Sequence, residues 1–365
     1  MAWIAVSDRN RQTFDLSGIE QGRAQSLTQQ DLTPNSLLAR GSILFETKLP
    51  GDGRPRRLIG YHRDHPWVSS LSVQEMPSGG IVLVVTQGKD VFHTVLEHGA
   101  VAQAEELRVT YSWDAPARWG RLSVERIASG LVFVKELRNP KPLLLSDLRI
   151  MTLDPLQRQM DRGVSFFAVS TDIEPVGPMP GLTSAVPVLT AQGYQAAGHI
   201  RRGDLIRSPG YGSVPVLAVV KRTVPARGSF SPVRLRAPYF GLQQDIIVGA
   251  KQRLRIGGSA VEYLFGKQNV LVPAGHLING ISAIRYDQSE VVTYCQVLMP
   301  GNEPLLAAGA PLETLYLGRM RRKQTLCSAG LLAEYDRSRL PEHAAPAFPV
   351  LDHFEANTLA ELRAA

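Results

Sequence analysis

Cysteine is nearly absent from this chain, with two among 365 residues. Two cannot build a disulfide scaffold, and no Cys-x-x-Cys pair offers a zinc site. No run of about 18 apolar residues occurs, which excludes a membrane-spanning helix. The N-terminus, Met1–Asn10, has a short apolar stretch that Asp8 and Arg9 end. It lacks the basic start and long apolar segment of a secretory signal, so the cytoplasm is the default compartment, with export by another route left open. Helical periodicity is scarce throughout. Charged residues make up 20% and hydrophobic residues 44%, the balance of a soluble globular protein rather than a disordered one.

The length exceeds one ordinary core and predicts two domains. The net charge is +7 and the isoelectric point about 9.5. Such a charge is compatible with nucleic acid or an anionic surface. The basic residues are scattered, however, with dense spots only at Arg54–Arg57 and Arg319–Lys323. No nucleic-acid-binding motif accompanies them, so solvated basic loops are expected and no nucleic-acid partner.

Residues 1–170 carry short apolar stretches at intervals of roughly ten residues, punctuated by Gly, Pro, Asn and Asp. Strands are expected at Ser42–Lys48, Val68–Met76, Ile81–Gln87, Leu107–Trp113, Arg121–Arg126 and Leu131–Leu137, with a Pro-Ser-Gly-Gly turn at Pro77–Gly80. One short helix is expected over Leu153–Met160. This spacing suits an antiparallel β sandwich of jelly-roll type. The stretch Arg108–Glu125 resembles the paired inner strands of a concanavalin-like or laminin-G-like sandwich. Such folds hold sugars on aromatic platforms beside an acid. Trp113, Asp114 and Trp119 are therefore the candidate ligand-binding residues, for a glycan or a protein ligand. Alternatively, both tryptophans pack the sheet and Asp114 opens a turn before Pro116. His62 and His65 have an i, i+3 spacing with Asp64 between, but Pro66 points to a loop, so surface histidines and no metal site are expected.

The segment 171–180 holds three prolines and one glycine, the composition of a stiff, extended connector. Beyond it, strands are expected at Val186–Leu189, Val214–Arg222, Pro232–Ala237, Asp245–Val248, Gln252–Ile256, Val270–Val272 and Val291–Leu298. Cys295 lies inside the last of these as a core thiol. Cys327 follows the basic run, where cations lower a thiol pKa if they reach it. Residues 319–365 form a basic, Pro-rich tail, and Asp352–Leu362 suggests a short amphipathic helix.

Several stretches of the second half follow a recognisable order. Gly181-Leu-Thr-Ser-Ala-Val-Pro-Val-Leu-Thr190 leads to Arg201-Arg-Gly-Asp-Leu-Ile206. Val270-Leu-Val-Pro-Ala274 and Gly275-His-Leu-Ile-Asn-Gly280 come later. This order resembles the bacterial Hint (Hedgehog/intein) domains over residues 181–318, and implies a compact β domain. In that family the segment opens on a nucleophilic Cys, and histidines handle protons. The resemblance puts Gly181 where the family has its Cys, and Gln252 and Asn302 where it has histidines. Self-cleavage starts with an acyl shift onto the first residue's own side chain, which glycine does not have. An amide cannot shuttle protons near neutral pH. Thr183, Ser184, His199 and His276 are the remaining groups from which a rescue could come.

The expectation is a mainly β protein comprising a sandwich (1–170), a connector (171–180), a degenerate Hint-like domain (181–318) and a tail (319–365). It needs no cofactor and is inactive in self-cleavage. Its role is then binding or structural. Two alternatives stay open: autoprocessing through an unorthodox nucleophile, and sugar binding of a lectin-like kind.

Overall fold

In a computed structural model of the chain, the described residues are 3–19, 36–99 and 104–364. They form two compact units, Met1–Gly177 and Pro178–Ala365. No helix among the described residues is long and apolar enough to cross a membrane.

The first unit is a sandwich of two antiparallel sheets. Among the described residues, one sheet has seven strands, in the order Val132–Arg138, Trp119–Arg126, Glu105–Asp114, Arg40–Leu49, Val164–Ser170, Trp3–Asp8 and Gln12–Phe14. The other has five, in the order Arg158–Met160, Arg56–Arg63, Ser69–Met76, Gly80–Gln87 and Asp90–Glu97. Ser69–Met76 illustrates the pattern that builds it. Leu71 and Val73 are buried, while Ser70, Ser72 and Gln74 on the opposite face are half-buried, as the two-residue period of a strand requires. The core joins Phe45, Val109, Tyr111 and Leu122 of the first sheet to Leu71, Val73, Leu83 and Val85 of the second. The turn after Met76 closes with Gly79 at φ 81°, its N–H donating to Met76 O at 2.9 Å. Glycine takes that left-handed position at little steric cost.

The helix expected at Leu153–Met160 lies one step earlier, at Leu145–Leu153, and Arg158–Met160 is a strand paired with Ile59–Tyr61. Pro155 is the reason. A residue before proline is driven out of the helical region, and Asp154 is extended at φ −101°, ψ 101°.

Residues 172–177 are strapped to the seven-stranded sheet. The Ser42 hydroxyl donates to Asp172 O at 2.7 Å and accepts from Glu174 N at 2.9 Å. The Arg121 guanidinium donates to Glu174 O, and Gly177 N donates to the Glu125 carboxylate at 3.0 Å.

Among the described residues the second unit holds two further sheets and two hydrophobic clusters, the smaller of which joins Ala218, Val220 and Leu298 to Leu317, Met320 and Leu340. Leu182, Val248, Cys295 and Val297 belong to the larger cluster. The stretch expected as one strand at Val214–Arg222 is two, Gly212–Pro215 and Ala218–Pro225. Pro215 has no N–H to continue a ladder. The tail packs on this unit. Leu271 N donates to Pro349 O at 2.7 Å and Leu351 N to Leu271 O at 2.9 Å. The helix His353–Ala364 then places Ala356 and Leu359 in the core. Its start is a reciprocal cap: Glu355 N donates to Asp352 Oδ1 at 2.8 Å, and Asp352 N to Glu355 Oε2 at 2.9 Å.

Candidate functional site

Gly181 is buried at the start of the second unit. The residue after it, Leu182, is wedged between two strands, paired with Val248 on one side and Cys295 on the other. Gly249 N donates to Gly181 O at 2.7 Å, fixing the carbonyl. The space where a side chain would start is taken. A Cβ on Gly181 would lie 2.4 Å from Gln252 Oε1, 3.0 Å from Gln252 Cβ and 3.2 Å from Gln252 Cδ.

Gln252 is held there by a saturated amide. Its Nε2 donates to Glu313 O at 2.9 Å and Arg253 O at 3.1 Å. Its Oε1 accepts from Gln296 Nε2 at 2.8 Å. Gln296 Nε2 also reaches Glu313 O at 3.2 Å. Asn302 joins from the other side, its Nδ2 donating to Glu313 Oε1 at 3.3 Å while Thr314 Oγ1 donates to Asn302 Oδ1 at 3.3 Å. Asn302 has φ 60°, a left-handed conformation that asparagine tolerates better than most residues. Glu313 is buried, and its remaining carboxylate oxygen pairs with Arg253 Nη1 at 3.1 Å. Burial pushes the Glu313 carboxyl above the usual carboxylate range, against the opposing pull of Arg253.

The structure thus brings Gly181, Gln252 and Asn302 into one buried cluster built around Glu313. Gln296 and Glu313 were outside the reach of sequence reasoning. The only signal was a lone amide or acid inside an apolar run, at Tyr294-Cys-Gln-Val297 and Pro311-Leu-Glu-Thr-Leu315. Amides do not move protons near neutral pH, and the one carboxyl of the cluster is engaged by Arg253 and Asn302.

The Thr183 hydroxyl donates to Ile247 O at 2.8 Å. His199 is exposed, in a single turn at Ala197–His199. His276 stacks on His353 of the C-terminal helix, with ring centroids 5.3 Å apart. The Cys295 thiol donates to Leu182 O at 3.4 Å, and burial pushes its pKa up to about 11. Cys327 is also raised by burial, which outweighs Arg337. At pH 8 the Cys295 thiol is roughly one part in 10³ thiolate. Iodoacetamide should therefore leave Cys295 of the folded protein unmodified over an hour and label it fully in urea. Stoichiometric labelling of the native protein within minutes, read by mass, would contradict the burial.

In the first unit, Trp113 is a core residue. It is 0% exposed, stacks on Tyr111 at 5.3 Å, and its indole N–H donates to Leu38 O at 2.9 Å. That removes it from the candidate ligand surface, because an inner strand of the sandwich turns its ring inward. Asp114 closes the adjacent turn by accepting Ala117 N at 3.0 Å. Trp119, paired with Asp114 across the hairpin, is half-buried with the Arg121 guanidinium 5.8 Å from its ring centroid. His62 is exposed and pairs with Asp64 at 3.0 Å.

The Hint domain family model matches residues 180–319. No curated protein matches the chain in sequence. Among solved structures, the chain is similar to the CBM40 of a Ruminococcus gnavus IT-sialidase bound to α2,6-sialyllactose, at 12% identity over 36% of this chain and 77% of that one, with a TM-score of 0.27. It is also similar to the MchDnaB-1 intein (N145AA), at 15% identity over 37% and 98%, with a TM-score of 0.26. A third similarity is to the gp41-1 intein, at 14% identity over 37% and 99%, with a TM-score of 0.25. On the family match, with the residue order and the buried cluster around Gly181, residues 180–319 of this chain are a Hint domain.

Proposed function

We propose that this Hint domain does not cleave itself and that the chain works whole, as a binding or structural protein. The observation that carries this reading is Gly181 against Gln252. The position of the acyl shift has no side chain, and a hydrogen-bonded amide fills the space one would occupy. The second requirement, a proton shuttle, is unmet by Gln252 and Asn302, both locked in bonds to Glu313.

A substitute nucleophile has little to work with. Thr183 spends its hydroxyl proton on Ile247 O. Cys295 is protonated at neutral pH and lies beside Leu182 O. The reading is tested by the intact mass of the purified protein over days, with and without added thiol. Autoprocessing through either group would produce fragments that this proposal forbids.

A further inference from the structure

We infer that a cleft in the second unit binds a small organic phosphate, through Gln192, Gln195, His199, Arg201, Asp204 and Lys221. This goes beyond the proposed loss of cleavage and does not depend on it.

The charge of the chain is unevenly divided. Residues 1–177 hold 20 Lys and Arg against 20 Asp and Glu, whereas residues 178–365 hold 20 against 13. The whole excess of +7 therefore belongs to the second unit. Two of its cations, Arg201 and Lys221, line one cleft of about 490 Å³. That volume is within the size range of small-molecule sites. The cleft gathers residues from the hairpin of Pro187–Thr190 with Gly193–Ala196, from the turns that follow it, and from strand Ala218–Pro225.

Donors outnumber acceptors on its walls. Arg201, Lys221, the His199 ring and two glutamine amides can all donate. Among the described residues the Arg201 guanidinium and the His199 ring have no partner, and both side chains are exposed. Lys221 Nζ donates to Gly198 O at 2.8 Å, which holds the ammonium at the wall and leaves it two further N–H groups. The single carboxylate, Asp204, is partly spent on the backbone, since its Oδ2 accepts from Arg201 N at 2.8 Å. The walls are braced as well. Gln195 Nε2 donates to His199 O at 3.0 Å. Gly198 N donates to Ser184 O, Gly203 N to Val216 O and Val216 N to Asp204 O, each at 2.9 Å. A frame already held in place lowers the ordering cost of binding.

This combination suits one ligand chemistry. A guanidinium fork matches two oxygens of a phosphate, and an ammonium adds a point charge beside it. The cations meet in one hollow rather than along a stripe, which fits a single phosphate group better than the backbone of a nucleic acid. A bare phosphate ion would leave most of the cleft to water. The two glutamine amides and the remaining oxygen of Asp204 instead match hydroxyl groups on the body of a larger molecule.

The test is calorimetric titration of the full chain with sugar phosphates and nucleoside monophosphates, with their dephosphorylated counterparts, and with inorganic phosphate. At least one organic phosphate should bind at about 1 mM or tighter, and its dephosphorylated counterpart and inorganic phosphate at least about tenfold more weakly. Arg201→Ala should lower the affinity about tenfold or more at an unchanged melting temperature, because the guanidinium it removes supports nothing in the fold. Lys221→Ala should weaken binding in the same way. Arg285→Ala, which removes an exposed arginine outside the cleft, should leave it unchanged. The proposal is overturned if no organic phosphate binds, if inorganic phosphate binds as tightly and the cleft holds an adventitious ion only, or if Arg201→Ala binds as well as the natural protein.

Discussion

Replacing Gly181 with alanine is expected to destabilise the second unit by about 2 kcal/mol, the cost of forcing a carbon into an occupied site in a packed interior. The new Cβ would meet Gln252 Oε1 at 2.4 Å and two of its carbons at 3.0 and 3.2 Å. The amide end of a glutamine can swing away, but here the swing breaks bonds to Glu313 O, Arg253 O and Gln296. Buried groups left without partners carry their own penalty. Backbone strain is not the cause, since Gly181 is outside the left-handed region. Two features distinguish this account from a general intolerance. Gly181→Cys should cost the same as Gly181→Ala, because the first carbon is the problem. In a Gln252→Ala background the cost of Gly181→Ala should fall to near zero, because the obstacle is gone. Equal costs in both backgrounds, read from urea midpoints, would refute the coupling. A thiol at 181 therefore needs position 252 changed with it, and a reconstruction of the reaction would start from Gly181→Cys, Gln252→His and Asn302→His together.

This coupling marks where sequence reading stopped. The alignment of Gly181, Gln252 and Asn302 with reactive positions came from motif order, and the fold then put all three around Glu313. Their partners, Gln296 and Glu313, are far apart in sequence, so only the fold joins them. Strands were legible where one face is buried and the other partly exposed, as in Ser69–Met76. They were missed where both faces are covered, as in Trp3–Asp8 and Val164–Ser170, whose burial shows no alternation. Asp90–Glu97 was missed for the opposite reason: Val91 and Val95 point to solvent while Thr94 and Leu96 are buried, so the apolar pattern reads both ways. The burial of Trp113 was one of two readings the sequence left open, because the stretch around it mixes aromatic and polar residues.

Acid should destabilise the first unit by about 3 kcal/mol between neutral pH and pH 4, through His98. The residue is 2% exposed, and among the described residues neither ring nitrogen has a hydrogen-bond partner. Its ring meets the edge of Phe133, with centroids 6.3 Å apart. Burial, and then the nearby Arg126, lower its pKa to about 4 from 6.5. The folded state thus keeps His98 neutral where the unfolded chain takes up a proton. Stability is therefore full above pH 6.5, falls as pH drops through that value, and levels off below about 4. A tenfold difference in proton affinity between the folded and unfolded chain is worth roughly 1.4 kcal/mol. His276 and His343 of the second unit, both lowered chiefly by burial, push in the same direction. The check is the urea midpoint of the first unit at about pH 7.5 and about pH 4.5, for the natural protein and for His98→Leu. The variant should lose most of the pH dependence, and an identical slope in both proteins would assign it elsewhere.

The intact mass of the freshly purified protein, followed for several days at neutral pH with and without thiol, tests the central claim most directly. A single species at the mass of the unbroken chain, 40.0 kDa, is the predicted result under both conditions. An N-terminal fragment ending at Pro180, appearing without protease and growing with time or with thiol, would contradict it.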